Sequence, residues 1–297
     1  MNKDINILHH VGLVTADMKT LVNCYEALGF VLTPVFMPKV VLKSGAKPEM
    51  LGVGTRCAIF QNNYLELTGI VDKNRWDKIS KKQRGLYDID VFTSRYDGLH
   101  GLYLGTEDIE AVRERLVRQY AACATIETSE RMVNSPDGKQ QLMSTKSIDL
   151  TEAHNAEISM HVTQNITPEL VLQPRYMTHR NGVQSITEII ICTEEPEKHA
   201  QKYAQYTGHK FELAGNLYTI KLGDSKIIII APKFIHEIIP GCYPSPLFRI
   251  AGFTVSVLDL DVVRELLGRK KVPYVEHAGR IVVLPEHACG SAVIFEK

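Results

Sequence analysis

One pattern recurs along the chain, and it restricts the fold more than composition does. Residues 10 to 21 read HVGLVTADMKTL, residues 101 to 112 GLYLGTEDIEAV, residues 188 to 199 EIIICTEEPEKH and residues 252 to 263 GFTVSVLDLDVV. Each is a short apolar stretch with strand-like alternation, an acidic position (Asp17, Asp108, Glu195, Asp259) and then a helical periodicity. The acidic residue suits a helix N-terminus, where it caps free amides and meets the positive end of the dipole. Pro196 fits a first turn, and Gly29 and Gly208 end their helices. Each helix is followed by a turn-rich region closing in another strand: NYLELTGI (63–70), AEISMHVTQ (156–164), SKIIIIAP (225–232) and GSAVIFE (290–296). A repeat of this length predicts a fold assembled from like supersecondary units.

The chain has 297 residues, enough for two domains of roughly 150 residues each. The stretch PRYMTHRNGV (174–183) marks the expected division, with residues 1–173 holding the first pair of units and 174–297 the second. His179 within it reads as a turn residue. A charged insertion, DKNRWDKISKKQRG (72–85), interrupts the first pair and is expected to be a solvated surface segment. GVG at 52–54 reads as a bend.

Charge narrows the function. The 34 basic and 34 acidic side chains balance, which argues against a nucleic-acid or anionic-membrane partner. No apolar run approaches the ~20 residues of a membrane helix, and MNKDINILHH lacks a signal-peptide core, so a cytoplasmic location is expected. The six cysteines (Cys24, Cys57, Cys123, Cys192, Cys242, Cys289) form no C-x-x-C pair and read as reduced, apolar residues.

The stretches LHHVGLVTADMKTLVNCYEALGF, GVGTRCAIFQNNYLEL, HRNGV and GFTVSVLDLDVVRELL resemble the vicinal oxygen chelate superfamily, which holds glyoxalases, dioxygenases and bleomycin-resistance proteins, and within it the glyoxalase-like branch. The resemblance covers nearly the whole chain. It implies an α+β fold of four βαβββ modules forming two curled mixed-sheet cups. It also implies a divalent metal, Fe, Mn, Zn or Ni, held by ligands from the first and last strands of each module.

Alternation assigns residues to faces independently of that resemblance. In the first strands, Val11 and Leu13 share a face with His9, Leu102 and Leu104 with His100, and Phe253, Val255 and Val257 with one another. The opposite face carries His10, Gly12 and Val14, then Gly101, Tyr103 and Gly105, then Gly252, Thr254 and Ser256. The large apolar face should pack on the helices and the small or polar face should line a cavity. His10 is therefore expected in the cavity, and His9 and His100 outside it. His10 also falls on the family's metal position, seven residues before the acidic turn. In NYLELTGI alternation sets Glu66 opposite Leu65 and Leu67; a carboxylate there needs a metal, Arg56 or an amide as partner. In AEISMHVTQ it turns His161 to the cavity, although a one-residue shift of register would present Met160 instead.

The metal set implied is thus His10, Glu66 and His161, with Gly101 at the fourth position, and Tyr103 and Arg56 are candidates for substrate binding. Two histidines and one carboxylate form a facial triad with open positions, which favours Fe(II). In the second half only Glu188 could bind a metal, so that half is expected to be structural or to shape the substrate site. The expected function is a metal-dependent lyase, isomerase or dioxygenase acting on a small oxygenated substrate. The alternatives are metal-independent sequestration, as in bleomycin-resistance proteins, and a scaffold without a site. Short exposed sheet edges are compatible with a homodimer.

Overall fold

The repeat folds as four modules in which a first strand leads into a helix and the last strand returns parallel to the first. The computed structural model describes residues 5–42, 45–120, 125–150, 158–242 and 248–297; Cys123 lies outside the described residues. The first module contains β1 (Ile7–Thr15), α1 (Met18–Ala27), a short ribbon of β2 (Lys39–Val40) and β3 (Glu49–Met50), then β4 (Val53–Ile59) and β5 (Tyr64–Ile70). An insertion with α2 (Lys73–Lys78), α3 (Lys81–Arg84) and α4 (Asp90–Thr93) follows. The second module has β6 (Gly98–Gly105), α5 (Ile109–Tyr120), β7 (Ile126–Asn134), β8 (Gln140–Asp149) and β9 (Ser159–Asn165), then the single turn α6 (Pro168–Val171). The third has β10 (Val183–Cys192), α7 (Pro196–Thr207), β11 (Phe211–Ala214), β12 (Leu217–Leu222) and β13 (Ser225–Ile230). The fourth has β14 (Arg249–Val257), α8 (Leu260–Lys270), β15 (Val275–His277), β16 (Arg280–Val283) and β17 (Ala292–Glu296).

The acidic residues act largely as caps. The Asp17 carboxylate accepts from the Lys19 and Thr20 amides, Asp108 from Ala111 and Asp259 from Asp261. Glu195 makes no such bond; its longer side chain turns to Lys198 at 2.8 Å.

First strands pair with first strands: β1 runs antiparallel to β6, and β10 to β14. The last strands add in parallel, β5 on β1, β9 on β6, β13 on β10 and β17 on β14. The two pairs meet where Ile250 lies opposite Leu99. Helix-facing side chains from Ile5 to Phe295 form one continuous core through all four modules. HRNGV does more than turn: the Val31 amide donates to His179 Nδ1 (2.9 Å), His179 Nε2 donates to the Ile59 carbonyl (2.7 Å), and Asn181 donates to the Leu28 carbonyl (2.9 Å).

Both first-strand pairs contain β-bulges at equivalent places, and these overturn part of the alternation. Between Leu8 and His10, β1 carries one residue more than β6, and between Leu99 and Gly101, β6 carries one residue more than β1. The same shifts occur between Ile186 and Glu188 and between Ile250 and Gly252. A bulge sets two consecutive residues against one and re-aims the side chains. Leu8 and Val11 both belong to the helix-side core, as do Leu99 and Leu102, so His9 turns with His10, and His100 with Gly101, to the opposite face. The assignment of His9 and His100 to the packed face is therefore corrected. The fourth module agrees, since Ala251 packs with Ile190 and Ile294 on the side away from the helices.

The insertion keeps most of its charged side chains at the surface, as expected, but anchors itself through a few buried residues. Trp76, Ile79 and Ile89 are buried against Val14, Val53 and Ile70, closing one end of the first cup. Arg84 is only 7% exposed. It stacks on Trp76 at 3.9 Å, bonds the Ile79 and Trp76 carbonyls, and pairs with Asp88 (3.1 Å) and Asp90 (2.5 Å). Charge marks the solvated face of this segment but cannot show that Arg84 is neutralised by Asp88 and Asp90, beyond its end, around a buried tryptophan.

The second cup is filled. Ile235, Ile238 and Ile239 from the segment after β13 pack on Ile190, Ile228, Ile230 and Ile294. Glu188, at the position that His10 holds in the first pair, is bound by Arg280 through two contacts of 3.0 Å, by Lys226 at 2.8 Å and by the Thr254 hydroxyl at 2.6 Å. Burial alone would raise its carboxyl, but these partners together hold it below the usual carboxylate range.

Candidate functional site

The first cup keeps its polar groups. The ladder sets His10 on β1 opposite Tyr64 on β5 and Tyr103 on β6, and sets Tyr103 opposite His161 on β9. Their rings form one near-parallel stack. Tyr64 to His10 is 4.3 Å at 10°, His10 to Tyr103 is 3.8 Å at 12°, and Tyr103 to His161 is 5.0 Å at 7°. Glycine makes the stack possible. A Cβ built on Gly101 would lie 2.6 Å from Cε2 of Tyr103, and one on Gly12 3.7 Å from it, so a larger residue at 101 would displace the Tyr103 ring from its place across this floor.

His9 joins the site because of the bulge. Its Nδ1 lies 2.7 Å from Nδ1 of His10, and its Nε2 lies 3.0 Å from Oδ1 of Asn165 at the end of β9. Burial drives the His9 imidazole down to about 4, partly opposed by Asn165. His10 is held well below the ordinary histidine value by burial first, then by His9 and His161. Both rings are thus neutral near pH 7.

Glu66 lies on the cup face beside Thr68, whose hydroxyl donates to it at 3.4 Å, and opposite Cys57 in the ladder. Burial raises its carboxyl, and the positive charge of Arg131 opposes the rise. Arg131 comes from β7 and lies 4.7 Å over the Phe36 ring, so the second module reaches back to the first across the cup. Burial, reinforced by Glu66, pushes the Tyr103 phenol up to about 12, and Tyr64 is raised as well, first by burial. His161 bonds Ser159 at 3.0 Å and lies 3.9 Å from Asp149 at the rim; burial lowers it against the pull of that carboxylate.

His10, Glu66, His161 and Tyr103 therefore all belong to the cup. Arg56 does not join them: it lies opposite Leu67, on the helix side, where it donates to the Thr33 carbonyl (2.7 Å) and pairs with Glu26 (3.6 Å). The guanidinium acting on Glu66 is that of Arg131. Sequence reading missed Arg131, His9 and Asn165; Arg131 stands on a hairpin strand marked by SPDG (135–138), but its reach to Glu66 is a contact between modules, and the other two depend on the bulge.

The donor types suit a divalent metal, but their placement does not. Tyr103 stands between the imidazoles of His10 and His161 in the stack and lies over Gly101, the strand position of a fourth ligand. Among the described residues, no three His, Cys, Asp or Glu side chains are grouped so that they could hold a metal ion. What the cup does present is a neutral imidazole pair, two protonated phenols and a carboxyl whose charge is disfavoured.

Paired βαβββ modules with curled, unclosed sheets define the vicinal oxygen chelate fold, and several solved structures superpose on nearly the whole chain. A hypothetical protein from Staphylococcus aureus gives a TM-score of 0.62 at 12% identity, covering 97% of this chain and 98% of the other. A variant of 4-hydroxymandelate synthase from Streptomyces coelicolor gives 0.59 at 13%, covering 99% and 93%. The Mn(II)-bound glyoxalase from Novosphingobium aromaticivorans gives 0.51 at 11%, covering 98% and 82%. At such identities the likeness is one of fold. The sequence model of the glyoxalase-like domain family matches residues 8–207, and the chain belongs to that family. No curated protein matches the sequence.

Proposed function

We propose that this glyoxalase-like protein takes a small oxygenated molecule into its N-terminal cup and holds it with protein side chains, without a resident metal ion. The observation that carries the reading is the Tyr103 ring, stacked between His10 and His161 over Gly101. A molecule bearing hydroxyl or carbonyl oxygens would find hydrogen-bonding partners in the His10 imidazole, the Tyr64 and Tyr103 phenols and the Glu66 carboxyl. Arg131 would bias the cup toward oxygen-rich, electron-dense groups. The filled second cup, with Glu188 neutralised, is consistent with a structural role for that half.

A second reading keeps the metal-dependent lyase, isomerase or dioxygenase. Its support is that His10, Glu66 and His161 occupy the cup faces of β1, β5 and β9, and a rotation of Tyr103 out of the stack would clear the space between them. Metal analysis of protein purified without chelator, before and after incubation with Fe(II), Mn(II), Zn(II) or Ni(II), separates the two. Far less than one equivalent in both states is the expected result. A full equivalent that His10→Ala and Glu66→Ala each abolish would overturn the metal-free reading and install the second.

A further inference from the structure

A hydrogen-bond chain runs through the bulge of β1, and counting its protons fixes the state of the ring that the cup presents. With the Asn165 amide turned as it is here, its carbonyl oxygen toward His9, the 3.0 Å contact takes its proton from His9 Nε2. A neutral imidazole carries one proton, which leaves His9 Nδ1 bare. The 2.7 Å contact between the two Nδ1 atoms needs a proton between them, and His10 must supply it. His10 is then bare at Nε2. That nitrogen makes no hydrogen bond among the described residues, yet it is not one of their sealed, unpartnered atoms.

We infer that Asn165 and His9 are positioning residues that lock His10 in the Nδ1–H tautomer and so present an unprotonated Nε2, a hydrogen-bond and proton acceptor, to the cup. The stack on Tyr64 and Tyr103 holds the ring plane, and the chain holds the proton. Consecutive strand residues could not do this in a regular ladder, where their side chains diverge; the extra residue of the bulge lets His9 serve His10 directly. The chemical consequence is selective: Nε2 accepts from a hydroxyl, enol or protonated carboxyl of a bound molecule and repels a bare carboxylate oxygen. That consequence rests on the cup being the binding site; the tautomer itself does not.

The test uses the full-length protein with nitrogen-15 histidine, read by long-range proton–nitrogen correlation near neutral pH, with His9→Gln and His10→Gln to assign the two rings. The wild type should show His10 protonated at Nδ1 and bare at Nε2, with His9 the reverse. In Asn165→Leu the acceptor that orders the chain is gone. The His10 Nε2 resonance should then move toward the protonated end of the imidazole range. A wild-type His10 carrying its proton on Nε2 would overturn the inference, as would a wild-type pattern in folded Asn165→Leu. Should that variant fail to fold, the wild-type spectrum decides alone. Absence of any ligand for the cup would count against the proposed function and leave the tautomer result standing.

Discussion

His100 should make the protein sensitive to mild acid, by an amount the structure sets. The bulge in β6 turns this histidine under the insertion, where it is 1% exposed and stacks on Tyr96 at 4.1 Å. Its Nε2 donates to the Tyr96 carbonyl at 2.8 Å, while Nδ1 is sealed without a partner. Burial lowers the imidazole from 6.5 to about 4, and the charges of Arg95 and Arg249 add to the effect against the Tyr96 hydrogen bond. The unfolded chain binds a proton as the pH falls through the ordinary histidine value, and the folded chain does not. The contribution of His100 to stability is therefore complete above pH 6.5 and is lost as the pH falls toward about 4. The full difference corresponds to about 3 kcal/mol, of which about 2 kcal/mol is gone by about pH 5. His100→Gln removes the titration but keeps an N–H that can reach the Tyr96 carbonyl. Urea unfolding at about pH 7.5 and about pH 5 should show the variant losing about 2 kcal/mol less than the wild type. Equal losses in the two proteins would refute the reasoning, because His100 would then be titrating normally in the folded state.

Two further substitutions test the packing that surrounds the site. Glu188→Gln should cost about 2 kcal/mol in chemical denaturation, since it removes the charged hydrogen bonds to Arg280 and Lys226 while Arg280 keeps Glu296; a cost under about 0.5 kcal/mol would mean that solvent already screens the network. Trp76→Ala should cost about 3–5 kcal/mol and expose the insertion to proteolysis, whereas a surface segment would lose little.

Much of the architecture was legible because it repeats. Asp17, Asp108 and Asp259 cap the helices that their positions announced, and Leu65 and Leu67 face the core while Glu66 does not. His161 lies opposite Tyr103, the register that alternation favoured over one presenting Met160. What alternation could not deliver was its own interruption. A bulge leaves no reliable mark in composition, so alternation sets His9 and His100 on the wrong face while placing their neighbours correctly. The partner of Glu66 is hidden for a different reason: SPDG (135–138) marks the turn after β7, but that Arg131 on this strand reaches Glu66 is a contact between modules that no local pattern shows. The face of Tyr103 alone marks it as a candidate substrate contact; that its ring folds over Gly101 is a rotamer outcome, visible only once two glycines are seen to face each other across β1 and β6.

The paired bulges bear on how such a protein changes over time. One extra residue in β1 leaves every flanking partner in the ladder where it was, so a single-codon insertion or deletion there would alter the number of side chains aimed at the cup without redrawing the core. The same slot in β10 holds Thr187 and Glu188, bound to Glu296 and to Arg280, where β1 holds two histidines. The same slot thus carries a brace between neighbouring strands in one pair of modules and, in the other, two buried histidines on the face of the first cup.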